Sequence, residues 1–245
     1  MSTPEMIFKN ALNVYSHILG SGVRVSGNHQ LPPGPKIIAV NHNVGSDPLF
    51  LPLGLDENPH ILFQDGLFKI PIFGWFLKQC EQIPVERNSE NAKKAFYTAC
   101  ELLREAKTVA LFPEGRLVPF GERVHAKTGV IRMALATGAP IIPLGIYVAE
   151  KDVIRIKGKQ NGEKKSMLWQ VSGKCHLRFG AAWRPNPNQP NLHLQVDELM
   201  DRIYSLVAEA ERESLCVSHT LLNPIPRGSA GSRLVNLYIQ HGEQS

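Results

Sequence analysis

The chain has 245 residues, enough for one large domain or two small ones, and its 43% hydrophobic and 20% charged content supports a substantial core and excludes extensive disorder. A net charge of +5 turns the surface toward anionic partners without choosing among nucleic acid, acidic lipid, phosphorylated metabolites and acidic carrier proteins. Cys80, Cys100, Cys175 and Cys216 are widely spaced and form no CxxC pair, which fits neither a disulfide framework nor a zinc site. No apolar run approaches the roughly 18 residues of a membrane-spanning helix. The start, Met1 to Lys9, also lacks the basic and apolar regions of a secretory signal.

In chain order, the first predicted element is an amphipathic helix over 5–19. Ile7, Ala11, Val14 and Ile18 follow helical spacing, with Phe8, Leu12, Tyr15 and Leu19 beside them, between Pro4 and the stop at Gly20. After the turn Leu31-Pro-Pro-Gly-Pro35, Lys36 to Val40 is a short apolar run suited to a buried strand. Similar runs follow at 61–63, 108–112 and 140–148, separated by helical patterns over 91–106 and 128–137. Strands alternating with helices predict an α/β fold, a single domain built on a mostly parallel mixed sheet flanked by helices. Residues 151–165 then hold six basic and two acidic residues, and with the strand-like 169–179 they predict a basic hairpin or loop excursion at one edge. Residues 194–212 read as a late amphipathic helix. From 214 to 245 no period is visible, and a frayed tail is expected. The organisation read from these signals is helix and connector over 1–30, the main domain over 31–213, and a tail over 214–245.

Three constellations carry chemistry. The first is Asn41-His-Asn-Val-Gly-Ser-Asp-Pro48, directly after the strand at 36–40. A histidine takes a proton from a hydroxyl near neutral pH, and works best when a carboxylate holds its other ring nitrogen. The spacing lets Asp47 fold back to His42. It equally lets Asp47 serve as a helix cap ahead of Pro48, beside an ordinary loop histidine. The second is Leu111-Phe-Pro-Glu-Gly-Arg116, again at a strand end. Its turn exposes backbone N–H groups, and Arg116 offers a planar fork for phosphate; a plain strand-terminating turn reads the same way. The third is Ile83-Pro-Val-Glu-Arg87, where Arg87 either holds a phosphate or pairs with Glu86 or Glu90.

Together, in order and at these intervals, the blocks resemble the glycerolipid acyltransferase family that includes the 1-acylglycerol-3-phosphate acyltransferases. The correspondence runs through 41–47, 81–87, 112–115 and 139–144, with Leu67-Phe-Lys-Ile-Pro-Ile-Phe-Gly-Trp75 and Lys127-Thr-Gly129 similar between them. Departures are Glu81 where glycine is common, Glu86 for aspartate, and Arg116 directly after Gly115 where many members place a threonine first. The resemblance implies acyl transfer from acyl-CoA or acyl carrier protein to a free hydroxyl of lysophosphatidic acid. His42 and Asp47 would be catalytic, and Arg87, Glu114, Gly115 and Arg116 would bind the acceptor phosphate. Backbone N–H groups near Gly115 would hold the oxyanion. No metal or cofactor is implied. The alternatives are acylation of another acceptor, or a non-catalytic lipid-binding member.

A lipid acceptor requires contact with a membrane surface, so peripheral association with the cytoplasmic face is expected. The segment 66–78, rich in Phe, Ile and Leu with Lys69 and Lys78 at its flanks, and the N-terminal helix are the candidates, although either also fits packing on its own domain. The segment 151–165 suits anionic headgroups, the phosphates of CoA, an acidic carrier protein or a solvated loop. No nucleic-acid motif accompanies the charge. A His/Asp metal site lacks a second histidine at ligand spacing, because His60 and His125 are isolated.

Overall fold

The computed structural model describes residues 3–18, 20, 22–86, 90–160 and 163–222. The contacts define a compact unit, Met1–Glu211, and a second unit from Arg212 onward. In chain order the elements are α1 (Thr3–Ile18), β1 (Gly22–Gly27), β2 (Lys36–Val40), α2 (Asp47–Gly54), β3 (His60–Gln64), α3 (Phe73–Gln79), β4 (Ile83–Val85) and α4 (Glu90–Arg104). They continue with β5 (Thr108–Leu111), α5 (Gly129–Thr137), β6 (Ile141–Tyr147), β7 (Val153–Gln160), β8 (Glu163–Gln170), β9 (Lys174–Phe179) and α6 (Leu192–Leu222).

Seven strands form one sheet in the order β1-β9-β6-β2-β5-β3-β4, while β7 and β8 pair only with each other. Neighbours in the large sheet are parallel except β6 and β9. The expected single α/β domain with a mostly parallel mixed sheet is therefore what the chain adopts. The strand β2 lies in the middle and is buried along its whole length, which explains its unbroken apolar run. Its alternate residues enter different layers. Ile37 and Ala39 join Val109 and Ile141 against α4, α5 and α6 through Ala99, Leu103, Ile131 and Leu199. Ile38 and Val40 join Ala110 and Leu144 against Phe50, Leu51 and Leu77 of α2 and α3.

Two boundaries differ from the sequence reading. Gly22–Gly27, placed there in the connector within 1–30, is an edge strand paired with β9. Its Val-Arg-Val alternation is too short to stand out without the partner. The late helix continues to Leu222, through part of the stretch read as a tail. Between Arg212 and Leu222 the sequence holds neither proline nor glycine, so nothing in that stretch opposes helix.

The N-terminal helix carries two apolar stripes. Leu12 is buried, and Phe8 meets the Phe76 ring at a tilt of 33° with centroids 5.9 Å apart. The stripe Ile7, Val14 and Ile18 faces outward, with Ile18 at 76% exposure. Among the described residues, no helix is long and apolar enough to cross a membrane.

Candidate active site

The strands β2, β5 and β6 are parallel neighbours, so their carboxyl ends open on one rim of the sheet, the position where such sheets place their sites. The His42 block leaves β2 there, and the Pro113-Glu-Gly turn leaves β5 beside it. Asn41 ties the first block to β6. Its amide oxygen accepts the Ile146 N–H at 2.7 Å, and its amide donates to the Ile146 carbonyl at 2.9 Å and to Asn43 Oδ1 at 2.7 Å. Asn41 is 1% exposed, so these bonds are shielded from water.

Asp47 does not cap α2. Its Oδ2 turns back into the loop, where it accepts the N–H groups of Asn43 and Val44, each at 2.9 Å, and lies 3.0 Å from His42 Nδ1. The helix starts after Ser46, which makes no side-chain cap bond; Ser46 Oγ instead accepts the Gln170 N–H at 3.2 Å. A buried carboxylate oxygen facing Nδ1 selects the tautomer with hydrogen on that nitrogen, leaving the Nε2 lone pair to take a proton. The ring of His42 stacks on Phe112, centroids 4.2 Å apart, which limits its tilt. Phe112 belongs to the second block, so the two blocks meet around the histidine.

Glu114 strengthens that junction. One oxygen accepts the His42 backbone N–H at 2.7 Å and the other the Tyr204 hydroxyl at 2.8 Å. The carboxylate is 4% exposed. Burial raises its pKa above the ordinary carboxylate range, while the Tyr204 and His42 bonds pull it back down. Burial and the Glu114 charge hold the Tyr204 phenol well above its usual range, so it stays a donor. Glu114 was assigned from the resemblance to the acceptor phosphate. With both oxygens engaged inside, it braces the His42 backbone, and a carboxylate offers a phosphate no attraction.

The turn then reaches the surface. Gly115 has φ +64, a conformation that suits glycine. Its own N–H donates to the Phe112 carbonyl at 3.0 Å. The Lys127 side chain lies across Gly115, with Nζ 3.3 Å from where a β-carbon would sit. Arg116 follows, exposed. Arg116 and Lys127 thus bring two cations to the same turn. Arg87 lies outside the described residues.

Sequence reasoning passed over Tyr204, Asn43 and Lys127 as site residues. Asn43 holds the Val118 carbonyl at 2.9 Å through its amide, and Lys127 had appeared only within a connecting block. Tyr204 carried no signal, since it sits on α6, ninety residues from Glu114 in sequence. Below Asp47, burial and the Asp47 charge push the Cys175 thiol up, so it is an inert part of the core. Among the described residues, no group of three or more His, Cys, Asp or Glu side chains is placed to hold a metal ion. A groove of about 580 Å³ is bounded by α1, β1 and Leu53, and none of these site residues lines it.

The arrangement sets a histidine against a buried carboxylate, with two cations at the neighbouring turn. The Acyltransferase family model matches residues 22–147, just over half of the chain, and the chain belongs to that family. Among curated proteins, it is similar to the 1-acyl-sn-glycerol-3-phosphate acyltransferase of Borreliella burgdorferi, 28% identical over 144 residues that make up 58% of each chain. It is also similar to that of Pseudomonas aeruginosa, 26% identical over 129 residues, 52% of this chain and 50% of the relative. The chain thus spans about half the length of these relatives. Among solved structures, the 1-acyl-sn-glycerophosphate acyltransferase PlsC from Thermotoga maritima superposes with a TM-score of 0.63 at 23% identity, over 85% of this chain and 78% of the other, a likeness of fold.

Proposed function

We propose that this protein transfers a fatty acyl chain from an acyl thioester, on CoA or acyl carrier protein, to the free hydroxyl of lysophosphatidic acid, making phosphatidic acid. The observation that carries the reading is the 3.0 Å contact of His42 Nδ1 with the buried Asp47 carboxylate at the carboxyl rim of the sheet. The names of the curated relatives support the acceptor.

In the reaction, His42 Nε2 removes the proton from the acceptor hydroxyl as that oxygen attacks the thioester carbonyl. Asp47 stabilises the imidazolium that forms. Collapse of the tetrahedral intermediate expels the thiolate, which takes the proton from His42, so the base is regenerated. The step as written draws on neither a metal nor an organic cofactor. Arg116 and Lys127 attract the acceptor's phosphate, with Arg87 joining them as the family resemblance implies. The protein works at a membrane surface as a peripheral enzyme on the cytoplasmic face, where its acceptor resides. The outward stripe of α1, with Ile72 at 75% and Trp75 at 55% exposure near α3, supports that placement.

The test is purified protein given acyl-CoA and acyl carrier donors against lysolipids and glycerol 3-phosphate, with products read by mass. Lysophosphatidic acid is the expected acceptor, and His42→Ala should abolish transfer with the fold retained. Normal turnover in that variant would sink the mechanism. Acylation of another acceptor alone would redirect the reading within the family, and acylation of none would overturn the enzyme.

A further inference from the structure

The β7–β8 hairpin stands apart from the main sheet, yet its root is fastened to the site. Gly45 donates its N–H to the Leu168 carbonyl at 2.8 Å, and Gln170 donates its N–H to Ser46 Oγ at 3.2 Å. A β-carbon at Gly45 would lie 2.7 Å from Met167 Sδ and 3.2 Å from the Trp169 ring. The Trp169 indole N–H donates to the Tyr15 hydroxyl at 2.6 Å, joining the hairpin to α1. The hairpin therefore rests on the His42–Asp47 loop and on the helix whose apolar stripe faces outward.

Its two faces differ. Ile154 pairs with Trp169 and Ile156 with Met167, so these four share one face, while Arg155 and Lys157 alternate with them on the other. Ile154, Ile156 and Met167 are 49%, 40% and 40% exposed. Folding gains little from leaving three adjacent apolar side chains in water on a two-stranded ribbon. The same segment, 151–165, has six basic and two acidic residues, a balance of +4 in a chain of net +5. Aliphatic side chains interleaved with cations, beside an outward apolar helix stripe, match the headgroup region of an anionic bilayer. An acidic carrier protein satisfies the charge and leaves the aliphatic face unexplained.

We propose that the β7–β8 hairpin is a docking element for an anionic lipid surface, with its β7 edge, turned away from the Gly45 loop, placing Ile154 and Ile156 in the headgroup layer and Arg155 and Lys157 beside lipid phosphates. Docking there delivers the bilayer to the loop that bears His42. The proposal rests on the acyltransferase reading only for its purpose, because the docking is measured without turnover.

The experiment uses the full chain in flotation with vesicles of phosphatidylcholine alone and with phosphatidylglycerol added. Wild type should float with the anionic vesicles. Arg155→Gln with Lys157→Gln should weaken that binding roughly 25-fold, about five-fold per cation. Ile154→Ser with Ile156→Ser should weaken it at least about ten-fold. Neither pair touches the catalytic machinery, so both should acylate a short-chain, monomerically dispersed acceptor at the wild-type rate while losing activity on vesicle-borne acceptor. Wild-type flotation by both pairs, or wild type that floats with neither vesicle, overturns the proposal. Unchanged flotation with weakened binding to acyl carrier protein would assign the hairpin to the carrier instead. If wild type acylates no dispersed acceptor, the acyltransferase reading fails while flotation still decides on the hairpin.

Discussion

Replacing Tyr204 by Phe removes one hydroxyl and preserves the ring. In the structure that hydroxyl donates to Glu114 Oε1 at 2.8 Å, and the opposite oxygen accepts the His42 N–H at 2.7 Å. A hydrogen bond to a charged, buried acceptor is worth about 1.5–3 kcal/mol, and the variant should lose about that much stability at neutral pH. The loss should depend on pH, and its sign follows from the carboxyl. Burial raises the Glu114 pKa, Tyr204 and the His42 amide oppose the rise, the His42 ring charge lowers it and Asp47 raises it. A group with a raised folded pKa contributes stability below its unfolded pKa and loses it as the pH passes through the folded one. Deleting the Tyr204 donor raises the folded pKa further, so the deficit is greatest where Glu114 is ionised. Toward acid it shrinks to the value of a neutral hydrogen bond, about 0.5–1.5 kcal/mol. Urea unfolding of both proteins near pH 8 and near pH 4 measures this, and the acid limb of the activity profile should move upward. An equal deficit at both pH values with an unmoved activity limb would refute the idea that Tyr204 holds an ionised Glu114 beneath His42.

Asp47→Asn keeps an acceptor toward the Asn43 and Val44 amides while removing the charge behind His42, so the rate should fall about 10²–10⁴-fold with little change in acceptor KM; a rate near wild type would remove Asp47 from the mechanism. Gly45→Ala pushes a methyl group toward Met167 Sδ and the Trp169 ring, so stability should drop by about 1–3 kcal/mol and activity with it; thermal unfolding at the wild-type temperature would show that the hairpin yields freely. Arg116→Ala should raise the KM for a phosphorylated acceptor by about ten-fold with kcat nearly unchanged, and a loss confined to kcat would move Arg116 from phosphate binding to another role.

Much of the fold was legible because β2, β5 and β6 are buried on both faces and read as plain apolar runs. The strands β1 and β4 were harder, since edge strands of three to six residues take their stability from a partner that local pattern does not display. The same limit governed the site. Residues near one another in the chain, His42 and Asp47, were found together, and geometry then removed the helix cap by showing Oδ2 on the loop amides and beside His42 Nδ1. Glu114 was visible as a residue and opaque as a role, because its phosphate-facing assignment depended on which way a turn points its carboxylate. Burial under α6 turned it inward. The N-terminal stripe of Ile7, Val14 and Ile18 marked a helix correctly, yet periodicity does not say which of two apolar stripes meets the protein.

The Tyr204 hydroxyl closes a contact with Glu114 across ninety residues of chain. A ribosome extends the chain at about 5–20 residues per second, so Glu114 is synthesised several seconds before Tyr204. During that interval Glu114 is without its second donor. The brace beneath the His42 backbone is therefore complete only once α6 has docked.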